Sequence, residues 1–190
     1  MQPTLRLNRR AFLQAALTAA AAAGTGVACT RQRSPWQFFT VDEARTLASM
    51  VDQIIPPDQD AGAVWAGVVN YIDRQLCGPF RHLQSMYRQG LACANESSRT
   101  RYQRPFADLE SFQQIEMLTM LSRNQSQCGV WQQTSSADFF QLVVDHSMQG
   151  FYGDPRHGGN RDGVSWKMLG VSYPPIRGRL RTDLTKTRAG

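Results

Sequence analysis

The 190-residue sequence lacks the motifs with which a chain binds a redox cofactor or performs catalysis on its own. No Gly-x-Gly-x-x-Gly follows a predicted strand, which argues against a dinucleotide-binding fold, and no Cys-x-x-Cys-His is present to attach a c-type haem. A Gly-x-Ser-x-Gly nucleophile elbow and a phosphate-binding loop are also missing. The cysteines are too scattered for an iron–sulfur cluster. We therefore expect neither a catalytic residue nor a cofactor site in this chain.

Long apolar runs are scarce, and no acidic residue occurs before Asp42. The apolar run from Ala15 to Val27 is shorter than the roughly 20 residues that a membrane-spanning helix needs. Arg9-Arg10, followed by Phe12-Leu13, precedes this run, and that order of parts is typical of a twin-arginine export signal. We predict cleavage after Ala28. This export route favours a protein that folds before export, together with a cofactor or a partner that carries one.

Cleavage at that position makes Cys29 the first mature residue. Lipid attachment at Cys29 is an alternative, although Gly26 stands where a lipoprotein signal usually has Leu. Three more cysteines, Cys77, Cys93 and Cys128, then enter an oxidising compartment, where disulfides are allowed. We predict at most one disulfide, between Cys77 and Cys93 as the nearest pair in sequence. Other pairings stay open, because sequence alone does not determine connectivity.

The formal charge of +6 overstates how basic the mature chain is. Three of the 21 basic residues leave with the signal, so 18 bases face 15 acids and the mature charge is +3. No basic stripe with interleaved aromatic residues is present, which argues against nucleic acid as a partner. We interpret the basic residues near the C-terminus as part of a flexible, solvated end.

The apolar pattern is helical along the mature chain, and we predict an all-α fold, a compact domain of about five helices with a Gly-rich C-terminal loop. Thr40 and Glu43 form a capping box at the start of the first helix, and Pro56-Pro57 ends it. The next two helices are predicted over about 63–76 and 82–94.

Two more helices are predicted in the second half of the domain. One begins with a capping box at Ser111 and Gln114, and the other is capped by Ser135 or Ser136. Polar composition predicts a connection or a short helical turn over 97–104 and a loop over 122–135. The chain therefore divides into a signal (1–28), a linker (29–39), a helical domain (40–173) and a basic tail (174–190).

The segment from Gly150 to Gly163 contains five glycines in fourteen residues. Glycine at this density indicates positive φ angles or close backbone approach, and the Asp and Asn side chains of the segment can bond nearby main-chain N–H groups. We interpret the segment as a rigid, shaped surface. Because aromatic and arginine side chains are the usual anchors of interfaces, we predict that it binds a partner. The candidate residues are Phe151, Tyr152, Arg156, His157, Arg161 and Trp166.

Other interpretations of these residues stay open. Phe151 and Trp166 are equally suited to closing the hydrophobic core. A second hypothesis is a metal-dependent enzyme that uses His146, Asp154 and His157, although a satisfied helix-end histidine and a loop histidine are the simpler account. A third is a free-standing periplasmic lipoprotein or binding module.

Several separated blocks of the sequence form a recognisable series. In chain order they are Phe38–Thr40 with Asp42–Ala44, Ile54–Pro56, Ala66–Asp73 with Gln75-Leu76 and Gly78-Pro79, Tyr87–Leu91, and Phe139-Phe140 with His146 and Gly150–Gly163. In this order the blocks closely resemble the gluconate 2-dehydrogenase subunit 3 family. Cys77 departs from the resemblance by standing where a small residue is common, and the surroundings of Cys93 and Cys128 match nothing in it.

The resemblance implies a complex of three subunits. A large flavoprotein of the glucose–methanol–choline type binds FAD and oxidises a sugar or sugar acid, and a multihaem cytochrome c subunit passes electrons to the quinone pool. The small subunit binds the large one and supports its maturation and its export by the twin-arginine translocase. The implied location is the periplasm, with inner-membrane association through the complex. Gluconate, glucose, fructose and 2-ketogluconate all stay open as substrates.

Overall fold

The computed structural model describes residues 34–126, 128–132 and 135–171. Within these ranges every regular element is helical, so the predicted all-α fold is confirmed. The α-helices are α1 (Val41–Ile54), α2 (Val68–Leu76), α3 (Gln84–Tyr102), α4 (Ser111–Ser122), α5 (Ser136–Tyr152) and α6 (Val164–Met168). Short 3-10 turns lie at Arg81–Leu83, Phe106–Asp108, Gly129–Gln132, Pro155–His157 and Arg161–Gly163.

The predicted export signal, including Arg9, Arg10, Phe12 and Leu13, lies outside the described residues. The same holds for Cys29 and for the predicted tail 174–190. Among the residues that are described, no helix combines the length and the apolar character needed to cross a membrane.

Helix α5 is the central element of the domain, because it contacts each of the other five helices described above. Its buried face carries Phe139, Val143 and Phe151, which join side chains from α1 to α4 in one core. Helix α3 approaches α5 so closely at Gly90 that a Cβ there would lie 2.3 Å from the Phe139 ring. A glycine at this position therefore permits the contact between the two helices.

The start of α1 follows local sequence signals. Thr40 Oγ1 accepts a hydrogen bond from the Glu43 backbone N–H at 3.2 Å, and the Thr40 N–H donates to the Glu43 carboxylate at 2.8 Å. This is the predicted capping box, which satisfies two N–H groups that a helix start leaves free. The helix ends before Pro56, as predicted.

Residues 34–39, placed in a linker by the sequence pattern, pack on the domain through a buried carboxylate. Asp73 of α2 is only 2% exposed. Its oxygens accept hydrogen bonds from the backbone N–H groups of Gln37, Phe38 and Phe39 at 2.8, 2.9 and 3.0 Å. Three backbone donors on one carboxyl group compensate for its burial, so Asp73 fixes the chain entering α1.

Helix α3 corrects the prediction of a connection or a short helical turn over 97–104, because the helix that precedes this stretch continues to Tyr102. Its buried side chains repeat at helical spacing past the last apolar one, with Ser98 on the same face as Leu91 and Ala94. The Ser98 hydroxyl is satisfied within the helix by donating to the Ala94 carbonyl at 2.7 Å. A small polar residue thus replaces an apolar one on the buried face, which hid the helix in the sequence pattern.

Two predicted helix starts also shift. The cap of α4 is Glu110 rather than Ser111, since the Glu110 N–H donates to the side chain of Gln113 while the Ser111 hydroxyl donates to Gln53. Helix α2 begins at Val68, after a turn that ends at Gly67 with φ of +80°. The cap of α5 is Ser135, one of the two predicted candidates.

The predicted disulfide between Cys77 and Cys93 is wrong. Cys93 is bonded to Cys128, whereas Cys77 is a free, partly buried thiol at the end of α2. Cys93 lies nine residues into α3, roughly 14 Å along its axis from the turn that follows Cys77. The bridge joins residues 35 apart in sequence, and closing a loop of that size stabilises a fold by about 3–4 kcal/mol in the chain-entropy model.

Replacing Asp73 with Asn should lower the free energy of unfolding by about 2–3 kcal/mol, because backbone donors of residues 37–39 lose a charged acceptor inside the protein. Urea unfolding followed by circular dichroism measures this. Asp60→Asn, at an exposed position, is the control and should stay within about 0.5 kcal/mol of the unmodified protein. Equal stability of the two variants would contradict a central role for the Asp73 carboxylate.

Candidate functional site: a rigid glycine-rich loop

The segment from Gly153 to Gly163 links α5 to α6, and a buried asparagine holds its two ends together. Asn160 is fully buried and has a left-handed backbone conformation with φ of +42°. Its amide donates to the Gly153 carbonyl at 2.8 Å, and its side-chain oxygen accepts from the Ser165 N–H at 3.0 Å. These bonds close the segment into a compact loop.

Two further hydrogen bonds attach this loop to the start of α2. The Arg161 N–H donates to the Ala66 carbonyl at 3.0 Å, and the Asn70 side-chain amide donates to the Gly158 carbonyl at 2.7 Å. Both bonds join parts of the chain about 90 residues apart in sequence. The loop is therefore fixed by tertiary contacts as well as by its own turns.

Glycine is required where the loop lies against α5. A Cβ on Gly159 would stand 2.1 Å from the Gly150 carbonyl oxygen, a distance that no side chain tolerates. Gly158 has φ of +101°, which side chains rarely allow. The density of glycine in the sequence thus reflects both predicted causes, close backbone approach and positive φ.

The predicted partner-binding residues divide into buried and exposed groups. Phe151 is 2% exposed and belongs to the core, and Trp166 is half-buried, with its indole N–H donating to the Tyr152 carbonyl at 2.8 Å. The side chain of Tyr152 is 40% exposed. The side chains of Arg156, His157 and Arg161 are exposed as well.

The loop also contains a local ion pair. The Asp154 carboxylate accepts hydrogen bonds from the Arg156 guanidinium and from the Arg156 backbone N–H, and these bonds lower the pKa of Asp154 to about 2. Asp154 is therefore ionised at neutral pH and balances the charge of Arg156. The pair rigidifies the turn that opens the loop, whereas its exposure to solvent limits its contribution to stability.

Sequence reasoning missed Trp65, which adjoins the loop. Trp65 is 47% exposed, and the guanidinium of Arg161 lies over its ring, 5.6 Å from the centroid. Its neighbour Val64 is 45% exposed. The sequence pattern assigned residues 63–67 to a regular helix and therefore gave no reason to expect an exposed Trp65. The presence of a tryptophan close to Gly67 was the one signal that could have identified it.

We define the loop surface as the exposed or half-buried side chains on and beside this loop: Trp65, Tyr152, Arg156, His157, Arg161 and Trp166. A depression of about 560 Å³ adjoins it, lined by residues such as Pro155, Trp166 and Lys167. A separate apolar groove of about 370 Å³ lies elsewhere, between α1, α4 and α5, and includes Ile115 and Met148.

The structure does not gather His146, Asp154 and His157 into a metal site. His146 is buried in α5, stacked on the Phe80 ring at 4.4 Å, and its Nδ1 shares a hydrogen bond of 2.9 Å with the Tyr87 hydroxyl. Asp154 is engaged by an arginine. Across the ranges that the structure describes, three or more ligand atoms converge at another place, in Cys93, Glu96 and Cys128.

A comparison with known protein families finds a match for most of the domain. The model of the family described as gluconate 2-dehydrogenase subunit 3 matches residues 41–173, which is more than two thirds of the chain. This match covers α1 to α6 together with the whole glycine-rich loop. No curated protein and no solved structure matches the chain.

The buried imidazole of His146 predicts a pH dependence of stability. Burial lowers its pKa from 6.5 to about 4. Of the charged neighbours, Asp145 raises this pKa and His82 lowers it. Between these two values the unfolded chain binds more protons, so stability is full above about pH 6.5 and falls as the pH is lowered towards 4.

Urea unfolding at about pH 7 and about pH 4.5 measures this dependence. Between about pH 7 and about pH 4.5, the free energy of unfolding should fall by about 2 kcal/mol more in the unmodified protein than in His146→Gln. Subtracting the loss of the variant from that of the unmodified protein removes the contribution that the carboxylates make in both. Parallel losses in both proteins would contradict a buried neutral His146.

Proposed function

The chain belongs to the gluconate 2-dehydrogenase subunit 3 family, and from this premise we propose that it is the non-catalytic small subunit of an FAD-dependent dehydrogenase for sugars or sugar acids. Its main partner is a glucose–methanol–choline-type flavoprotein, which holds the FAD and oxidises the substrate. A multihaem cytochrome c subunit completes the complex and passes electrons to the membrane.

The family match carries this proposal, and the composition and rigidity of the loop surface support the part of it that concerns partner binding. Trp, Tyr and Arg are the side chains most enriched at the energetic centres of protein interfaces, and the loop surface presents all three types. The hydrogen bonds of Asn160, together with those from Arg161 and Asn70, fix the loop backbone before any partner arrives. A preorganised surface loses less conformational entropy on binding, which favours a stable subunit contact.

The proposed export role depends on the N-terminal sequence. The twin-arginine pattern at Arg9-Arg10 supplies a signal that a flavoprotein without its own signal can use by binding this chain before export. The mature complex then resides in the periplasm and associates with the inner membrane. Attachment of the segment 34–39 to Asp73 supports this role, because the chain that follows the signal is anchored directly on the folded domain.

A pull-down tests the proposal. The tagged chain is isolated from the native envelope fraction under mild detergent, and the absorbance spectrum of the eluate is recorded. We expect a larger polypeptide with the absorbance of flavin, accompanied by haem bands when the cytochrome is retained. Isolation of a lone, colourless chain, under conditions where a tagged flavoprotein remains intact, would contradict the proposal.

Single substitutions on the loop surface should weaken binding to the flavoprotein. We expect Tyr152→Ala, Trp65→Ala and Arg156→Ala each to cost about 1–3 kcal/mol of binding free energy, because each removes an anchor side chain from a rigid surface. Binding is measured by biolayer interferometry with the purified flavoprotein.

Phe112→Ala is the matched control. Phe112 is 68% exposed, lies on α4 and is not part of the loop surface, so its loss should leave the affinity unchanged. Helical circular dichroism confirms that each variant is folded. Full affinity in all three loop-surface variants, or a loss confined to Phe112→Ala, would place the contact elsewhere.

A further inference from the structure

Two cysteines and a glutamate converge at one side of α3, and none of them is part of the loop surface. One ligand atom from each of Cys93, Glu96 and Cys128 lies within 4.8 Å of the others. Cys93 and Glu96 are three residues apart on α3 and so lie on neighbouring positions of its surface. Cys128 comes from the segment after α4 and forms the disulfide with Cys93.

The position of Glu96 is not explained by the disulfide. A Glu96 carboxylate oxygen lies 3.4 Å from Cys128 Sγ, at the distance of a sulfur hydrogen bond. A disulfide sulfur carries no hydrogen and cannot donate one. The contact becomes favourable when Cys128 is a thiol that donates to the carboxylate, or when a cation lies between the carboxylate and a thiolate.

The donor set matches the preferences of zinc. Thiolate, imidazole and carboxylate groups are its usual protein ligands, with Zn–S distances of about 2.3 Å and tetrahedral geometry that holds two sulfurs roughly 3.8 Å apart. The Cα atoms of Cys93 and Cys128 are 5.7 Å apart, so rotation of the two side chains allows this separation without moving the backbone. Glu96 is exposed, which leaves solvent free to supply a fourth ligand.

We propose that the reduced chain binds one zinc ion through Cys93, Cys128 and Glu96, and that the disulfide is the oxidised, metal-free state of the same site. Conversion requires an oxidant, such as a small-molecule disulfide. The two thiolates lose two electrons and form the S–S bond, while the oxidant gains these electrons, takes two protons from solvent and leaves as two thiols. The zinc ion, having lost its sulfur ligands, is released.

Both states connect the segment around Cys128 to α3. Both cysteines are buried, with Cys93 1% and Cys128 7% exposed, so either cross-link lies within the folded domain. In a reducing compartment the metal holds the segment, and in an oxidising one the covalent bond does. The proposal concerns this chain alone and does not depend on the proposed role as a small subunit.

Cobalt binding tests the proposal, because Co²⁺ reports thiolate ligands by a charge-transfer band in the near ultraviolet. The test protein carries Cys29→Ser and Cys77→Ser, so that Cys93 and Cys128 are its only cysteines. It is reduced, freed of reductant under anaerobic conditions and titrated with Co²⁺, followed by displacement with Zn²⁺. We expect one metal per chain, tetrahedral d–d bands and loss of the colour on adding Zn²⁺. The oxidised protein should give no band.

Single substitutions test which of the three side chains bind the metal. Glu96→Gln should keep the charge-transfer band but bind Co²⁺ about tenfold more weakly or worse, since even loss of a partner that only orients a ligand typically costs this much. Glu110→Gln, at an exposed helix cap, is the control and should bind as the parent does. Cys93→Ser should lose most of the band.

Circular dichroism is recorded with every titration. If reduction alone lowers the helical signal, addition of Zn²⁺ must restore it, and failure to do so would overturn the proposal. Absence of a charge-transfer band in the folded, reduced protein would also overturn it, as would equal affinity of Glu96→Gln and the parent.

Discussion

The close approach of two backbones, at Gly150 in α5 and Gly159 in the loop, is the constraint on which the candidate surface depends. Because Gly159 has no side chain, the loop can lie directly on the helix, where the Gly150 carbonyl oxygen leaves no space for a Cβ at position 159. Asn160 then satisfies the polar groups at both ends of the loop. Arg161, which follows Asn160, is brought over Trp65, so an arginine and a tryptophan 96 positions apart in sequence form one exposed contact. Exposed anchor residues thus depend on buried, side-chain-free contacts.

Helix α2 connects this surface with the N-terminal part of the domain. Asn70 donates to the loop carbonyl at Gly158, the Tyr71 hydroxyl donates to Gln149 of α5, and Asp73 accepts the backbone N–H groups of residues 37–39. Three positions within four residues therefore hold the loop, the central helix and the segment that leads towards the N-terminus. In the proposed function, the segment that follows the export signal and the loop that binds the partner are supported by the same short helix. Damage to α2 would then affect folding and partner binding together.

Features fixed by neighbouring residues could be predicted from the sequence, and features fixed by distant ones could not. The capping box depends on Thr40 and Glu43, which are three positions apart in sequence, and the glycine content of the loop identifies it directly. The position of Trp65 and the role of Asp73 depend on contacts between segments 34 to 96 residues apart, which local patterns do not encode. The disulfide was mispredicted for the same reason: proximity in sequence favoured Cys77, whereas the path of α3 carries Cys93 towards Cys128. Family resemblance identified the class of protein, but the residues that shape its surface required three-dimensional contacts.

Hydrogen–deuterium exchange of the chain, alone and bound to its flavoprotein, tests most directly whether the rigid loop surface is the binding face. Binding should slow exchange in residues 62–67 and 153–168, while the amides along the groove between α1, α4 and α5 keep their rates. Residues 84–102 of α3 provide an internal reference that should not change. Protection confined to α4 and the exposed side of α5, where Ile115 and Met148 line the apolar groove, would contradict the assignment of the loop surface.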